Sequence, residues 1–265
     1  MVVWQQGNEN ESISQSNSSI TLSEFDAVLF DLDGVLTATA KIHANCWKRT
    51  FDQFLKQQAE KTHEPFVPFD LEYDYKQYVD GKMRYVGTQS FLESRGIHLP
   101  YGNPSDSPGY DTICALGNLK DSFFDEVLHA RGVEVYEGSV VLIHHLRQQE
   151  FKTAVVSSSH HCQAVLKAAG IERLFDVLVD GNVSDRLHLA GKPAPDAFLL
   201  AAKQLEVEPK RAVVCEDAIS GVQAGHAGGF GLVVGVDRQG NADALRENGA
   251  EIVVQDLSEL LYSSP

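Results

Sequence analysis

Six short apolar runs punctuate the chain: Phe25–Phe30, Thr153–Val156, Val177–Val179, Ala212–Cys215, Leu232–Val236 and Ile252–Val254. Each has the length and composition of a buried strand. Segments with helical spacing separate the later runs. Ser139–Gln149 and Cys162–Ala169 are two, and in a third Ala197, Leu200, Ala201 and Leu205 share one face behind Pro195. Strand and helix in alternation predict an α/β fold with a mostly parallel sheet covered on both faces. The first run stands apart. About 120 residues separate Asp31 from Thr153, where a strand-to-helix connection normally takes about two to six.

That gap carries helical patterns at Cys46–Gln57, Thr88–Arg95 and Ser122–Ala130, and an irregular Pro/Gly/Asp-rich stretch at Leu99–Asp111. It predicts a helical second domain over residues 41–129, inserted into a core made of residues 20–40 and 130–265. Residues 1–19 are polar and rich in Ser, Asn, Gln and Glu, which predicts a disordered tail. They lack the apolar stretch of a secretory signal. The formal charge of −15 argues against nucleic acid and anionic membrane as partners. Cys46, Cys114, Cys162 and Cys215 show no zinc spacing. Free thiols and no signal peptide predict a cytoplasmic protein, here expected to be a monomer.

Chemistry-bearing residues recur after the strands. Phe25–Phe30 runs into Asp31-Leu32-Asp33-Gly34, Thr153–Val156 into Ser157-Ser158-Ser159, and Ala212–Cys215 into Glu216-Asp217. Open α/β sheets bind ligands at the carboxyl ends of their strands. Lys192, ahead of a helix in Gly191-Lys192-Pro193, can reach the same edge. Two carboxylates 4 Å apart repel by roughly 4 kcal/mol at an effective dielectric of 20, so the cluster needs a cation. Oxygen donors without His or Cys favour Mg²⁺ over zinc. Ser157 and helix-start amides suit a phosphate, and Lys192 adds a point charge. Each part has a plain structural reading as well. Asp-x-Asp-Gly alone is as often a turn, Ser157–Ser159 or Asp217 can cap a helix, and a lone lysine is commonly solvated. The four parts together, on one edge, are much less ordinary.

The set Asp31-x-Asp33-Gly34-Val35-Leu36-Thr37, Val155-Val156-Ser157, Lys192-Pro193-Ala194-Pro195-Asp196 and Glu216-Asp217-x-x-x-Gly221 resembles the haloacid dehalogenase superfamily of phosphotransferases. Within it the β-phosphoglucomutase subgroup matches best, over roughly residues 22–260. The resemblance implies a Rossmann-like core with an inserted helical cap. It implies Asp31 as the nucleophile that becomes an aspartyl phosphate, and Asp33 as general acid and base. Mg²⁺ would be held by the Asp31 carboxylate, the Asp33 backbone carbonyl and Asp217, with Glu216 assisting. Ser157 and Lys192 would bind the transferring phosphoryl group. On the substrate side Thr39, His43, Trp47, Gly81, Arg84, Lys120 and Ser159 match the subgroup, with Arg84 and Lys120 as the clamp for a second phosphate.

The chain departs from that pattern in two places. Ala38 stands where the family usually carries Asp, removing a carboxylate near the hinge. His160 and His161 stand where Lys-Asn is usual, and neutral histidine is the weaker phosphate partner. The expected activity is interconversion of β-D-glucose 1-phosphate and glucose 6-phosphate. A sugar-phosphate phosphatase is the alternative, because water in place of a sugar hydroxyl makes the same intermediate hydrolytic. Asp33 and Glu216-Asp217 count against a dehalogenase, which needs neither a metal nor a second aspartate. The length of the insertion counts against a receiver-like signalling module.

Overall fold

The computed structural model describes residues 24–238 and 240–261, so the expected tail at 1–19 lies outside the described residues. Its centre is a parallel six-stranded sheet in the order β3-β2-β1-β4-β5-β6. The strands are β1 (Ala27–Phe30), β2 (Lys152–Val156), β3 (Val177–Val179), β4 (Ala212–Glu216), β5 (Leu232–Val236) and β6 (Ile252–Val254). Neither β1 nor β4 has an exposed residue. A sheet with helices on both faces buries every side chain of its central strands, so those strands read as continuous apolar runs. Alternation of side chains divides them between two cores. Val28 and Phe30 pack with Leu142 and Ile143 of α4 (Glu137–Gln148) and Val165 of α5 (Cys162–Ala168). Ala27 and Leu29 pack with Phe198 and Ala201 of α7 (Asp196–Gln204) and Ala224 of α8 (Ile219–Ala227). Two short helices, α6 (Gly181–Leu187) and α9 (Ala242–Glu247), complete the crossovers.

The strand order reverses direction between β1 and β4: the chain runs outward to β3, then returns to β4 on the other side. Phe30 is in register with both Val155 and Cys215. The residues that follow, Asp31, Ser157 and Glu216-Asp217, therefore emerge together at the switch point, where ligands collect in such sheets.

Between β1 and α4 lie α1 (Ala40–Thr62), a π-helical turn (Tyr75–Val79), α2 (Arg84–Ser94) and α3 (Ile113–Arg131). They enclose an apolar cluster of their own. Trp47, Phe51, Phe54 and Leu55 recur at helical spacing along α1 and meet Phe69, Phe91 and Leu116. Phe51 and Phe91 have ring centroids 4.2 Å apart, and Phe69 meets Phe91 edge-on at 4.8 Å. The third helix begins well before the Ser122 start suggested by the apolar pattern. Thr112 caps it by accepting from the Ala115 N–H at 2.9 Å, while Gly117 and Asn118 interrupt the hydrophobic period. The two strands of chain joining insertion and sheet run side by side, with Ala38 N–H donating to Glu134 O at 2.9 Å and Tyr136 N–H to Leu36 O at 3.0 Å. Backbone pairing thus ties the hinge where Ala38 lacks a carboxylate. Among the described residues no helix is long and apolar enough to cross a membrane.

Phe51 is fully buried at the centre of the insertion's aromatic cluster. Phe51→Ala should cost about 3–5 kcal/mol of stability in urea denaturation followed by circular dichroism. A loss under about 1 kcal/mol would mean that the cluster does not hold the insertion together.

Candidate active site

Asp31 is fixed from three directions. Its N–H donates to Cys215 O at 3.0 Å, its Oδ2 accepts from the Asp33 N–H at 2.9 Å, and its Oδ1 accepts from Lys192 Nζ at 2.6 Å. Lys192 also donates to Glu216 Oε1 at 2.5 Å and to Val156 O at 3.3 Å. All three ammonium protons are used, at a residue only 3 % exposed. Burial works to lower the Lys192 pKa, but the carboxylates of Asp31 and Glu216 raise it above that of an ordinary lysine. The lysine is therefore a fixed positive charge.

Carboxylates outnumber it. Ligand oxygens of Asp31, Glu216 and Asp217 lie within 4.8 Å of one another, and all three residues are buried. Burial raises Asp31 well above the usual carboxylate range; Lys192 opposes the rise, while Glu216 and Asp33 add to it. Asp217 is raised well above that range too, by burial and then by Asp80, Glu216 and Asp31. The site is short of positive charge, and its donors are oxygens throughout. Both observations fit a hard divalent cation. Glu216 plays a more structural part than metal assistance alone. Its Oε1 holds Lys192, and its Oε2 accepts from the Ala218 N–H at 2.9 Å. It is thus Glu216, rather than Asp217, that satisfies an amide at the start of α8. Asp217 instead lies against Gly34 in the turn after β1.

Asp33 sits in a different environment. Burial pushes its pKa up, but His43, the Thr39 hydroxyl and Lys120 outweigh that and bring it to about 2. Thr39 Oγ1 donates to Asp33 Oδ1 and contacts Thr37 Oγ1 at 2.6 Å. Thr39 is fully buried behind Asp33, where its hydroxyl positions that carboxylate. Lys120 Nζ lies 2.7 Å from His43 Nδ1. An ammonium only donates, which assigns the imidazole proton to Nε2, 3.4 Å from Asp33 Oδ1. His43 stacks on Phe124 at 4.1 Å, and Lys120 lies over the rings of Phe124 and Trp47.

The inserted helices close over this centre. The pocket is lined by Asp31, Asp33, Ser157, Ser159, Glu216 and Asp217 from the sheet edge, and by His43, Trp47, Gly81, Arg84 and Lys120 from the insertion. Arg84 is engaged at its far end. Its Nη1 donates to Asn118 Oδ1 at 2.9 Å, and its Nη2 contacts His160 Nδ1 at 3.0 Å and pairs with Asp121. His160 Nε2 in turn meets Asp185 Oδ2 at 2.7 Å, and His161 Nε2 lies 3.0 Å from Asp121 Oδ2. The two histidines bridge insertion and sheet where the usual pattern has Lys-Asn. Burial works to raise Asp121, but His161, Lys120 and Arg84 hold it at about 2.

Sequence reasoning passed over Asp121 and Asp80. Asp121 adjoins Lys120, and Asp80 opens the Asp80-Gly81 turn before Arg84; both signals were present, but neither residue belongs to a motif. Asp80 lines the pocket and is raised from 3.8 to about 7 by burial, with Glu216 and Asp33 adding to the rise against a hydrogen bond from Tyr75.

The motif spacing from Glu216 to Gly221 has a steric cause. A Cβ at Gly221 would lie 1.8 Å from Glu216 Oε1. Gly221→Ala should therefore push Glu216 off Lys192, lowering stability by about 1–3 kcal/mol in urea denaturation and abolishing turnover. Wild-type stability and activity in this variant would show that Glu216 does not organise the site.

A family model for haloacid dehalogenase-like hydrolases matches residues 25–229. The β-phosphoglucomutases of Mycobacterium bovis and Mycobacterium tuberculosis are each 48% identical over 238 residues, covering 89% of this chain and 91% of theirs. The crystal structure of β-phosphoglucomutase from Clostridium difficile superposes with a TM-score of 0.70 at 24% identity, covering 90% of this chain and 94% of that one, a likeness of fold. With a parallel sheet carrying Asp31, Ser157, Lys192 and Glu216-Asp217 at its switch point, the chain belongs to the haloacid dehalogenase-like hydrolase family.

Proposed function

We propose that the chain is a β-phosphoglucomutase, interconverting β-D-glucose 1-phosphate and glucose 6-phosphate through a bound 1,6-bisphosphate. One observation carries the reading. A buried aspartate held by a lysine lies at one end of a pocket whose other end, built on the inserted helices, presents Arg84 and Lys120. The identity with the mycobacterial enzymes supports it. The inserted helices act as a cap over residues 41–129, and the four buried free thiols suit a cytoplasmic protein.

The cycle begins with the phosphoryl group on Asp31. Asp33, held ionised by His43 and Thr39, is then in the form that takes a proton from the sugar 6-hydroxyl as that oxygen attacks phosphorus. The bond from phosphorus to Asp31 breaks, leaving a carboxylate paired with Lys192. The bisphosphate turns over in the pocket. Asp31 attacks the phosphorus at C1, and Asp33 returns its proton to the departing C1 oxygen. Lys192 and Ser157 bind the oxygens of the moving group, while Arg84 and Lys120 hold the idle phosphate. Asp31, Asp217 and the Asp33 carbonyl would hold Mg²⁺, with Glu216 assisting through Lys192. When bound, the ion neutralises charge on the phosphoryl oxygens.

One observation favours the phosphatase reading: Arg84 is already paired with Asp121, which weakens its claim on a second phosphate. Assaying a sugar-phosphate panel with Mg²⁺ and the 1,6-bisphosphate separates the two. Glucose 6-phosphate formed from β-D-glucose 1-phosphate in excess of the bisphosphate supplied supports the mutase. Phosphate release with no such excess contradicts it, because hydrolysis of the bisphosphate at C1 by itself yields glucose 6-phosphate.

Asp31→Asn should abolish turnover, since an amide is no nucleophile; retained activity would contradict the mechanism. Arg84→Ala should impair isomerisation by about tenfold or more, with hydrolysis of an aryl phosphate affected less. Equal losses would mean that Arg84 holds no distal phosphate. A third expectation concerns pH. Asp80 ionises more easily unfolded than folded, so without metal its contribution to stability is full below about 4 and is lost as pH rises through about 7. Asp31 and Asp217 shift in the same direction. The rise in Tm produced by Mg²⁺ should therefore be larger at pH 8 than at pH 5. An equal rise at both would contradict a cation site within this cluster.

A further inference from the structure

Two serines to which the motifs assign no role face the cap loop that lines the pocket together with Asp31. Ser158 follows Ser157 beyond the end of β2, and Ser220 lies in the first turn of α8. Ser158 Oγ donates to Gly81 O at 2.8 Å, and Ser220 Oγ donates to Asp80 O at 2.9 Å. Successive carbonyls of one loop are thus held from two core elements. Those elements follow β2 and β4, the strands that flank β1. The fit is close. A Cβ on Gly81 would lie 2.4 Å from Ser220 Oγ and 3.0 Å from the Ala218 side chain, and the φ of +70° favours glycine.

We infer that Ser158 and Ser220 form a two-point latch that seats the Asp80-Gly81 loop and seals the phosphorylated Asp31 from bulk water. Both are positioning residues, since their hydroxyls bond the loop and leave the transferring group to Ser157 and Lys192. The latch rests on the mutase reading for its purpose, though not for its geometry. If the loop lifts, a water oxygen can attack the phosphorus of the aspartyl phosphate. The bond to Asp31 then breaks, inorganic phosphate leaves and the carboxylate is regenerated. A seated loop reserves that phosphorus for a sugar hydroxyl.

Amide hydrogen exchange on the full chain with Mg²⁺, read on the peptide spanning residues 79–84, tests the latch. Ser158→Ala and Ser220→Ala should each speed exchange there by about two- to tenfold, and the double variant by roughly the product, with α3 unchanged. Ser158→Thr keeps the hydroxyl and should exchange like wild type. Gly81→Ala lifts the loop from the cap side and should behave like the double variant. In turnover of β-D-glucose 1-phosphate with a catalytic amount of the 1,6-bisphosphate, the ratio of phosphate released to glucose 6-phosphate formed should climb in the same order. Wild-type exchange in the double variant would overturn the latch. Faster exchange with no change in that ratio would overturn its role in excluding water. A wild type that releases phosphate and makes no glucose 6-phosphate beyond the bisphosphate supplied would overturn the mutase reading instead, and the exchange data would still decide the latch.

Discussion

The Lys192 ammonium, set between the carboxylates of Asp31 and Glu216, is the interaction on which the rest of the site depends. Glu216 is wholly buried. An unpaired charge in so buried a position would be costly. Lys192 meets that need and in doing so fixes Asp31 at the end of β1. The same glutamate accepts from the first amide of α8, so the ion pair also sets where that helix starts. Gly221, one turn on, leaves room for the carboxylate. Sheet, helix start and Asp31 are thus joined through one side chain.

The site is deliberately uneven in charge. At the sheet edge, burial and mutual repulsion raise Asp31 and Asp217, an imbalance that a divalent cation would relieve. A few residues away Asp33 is held ionised by His43 and Thr39. Neighbouring carboxyl groups pushed in opposite directions can divide the roles of nucleophile and proton carrier. The cap contributes to both. Lys120 contacts the His43 ring that faces Asp33, and Asp80 and Gly81 line the pocket with Asp31.

Much of this was legible in the sequence. Strands buried on both faces cannot alternate, so they appear as apolar runs, and the three runs at Val177, Leu232 and Ile252 coincide with β3, β5 and β6. Asp31, Ser157 and Asp217 stand directly after such runs, where the end of a strand fixes their position. Contacts made across the fold were harder to read. Nothing local marks Asp121 as the partner of Arg84, or Ser220 as the partner of a loop some 140 positions earlier in the chain. Thr39 is marked by its match to the subgroup, and the turn at Gly34 sets its hydroxyl against Asp33. The start of α3 was obscured because its first turns carry Gly117 and Asn118 in place of an apolar stripe.

The central claim is that Asp31 carries the phosphoryl group. Rapid acid quench of the enzyme turning over the 1,6-bisphosphate, followed by borohydride reduction and peptide mass spectrometry, tests it directly. Reduction of an acyl phosphate at Asp31 would leave homoserine at that position and leave Asp33 unchanged. Recovery of unmodified Asp31 during turnover, or of the reduced residue at Asp33 or any other carboxylate, would contradict the account.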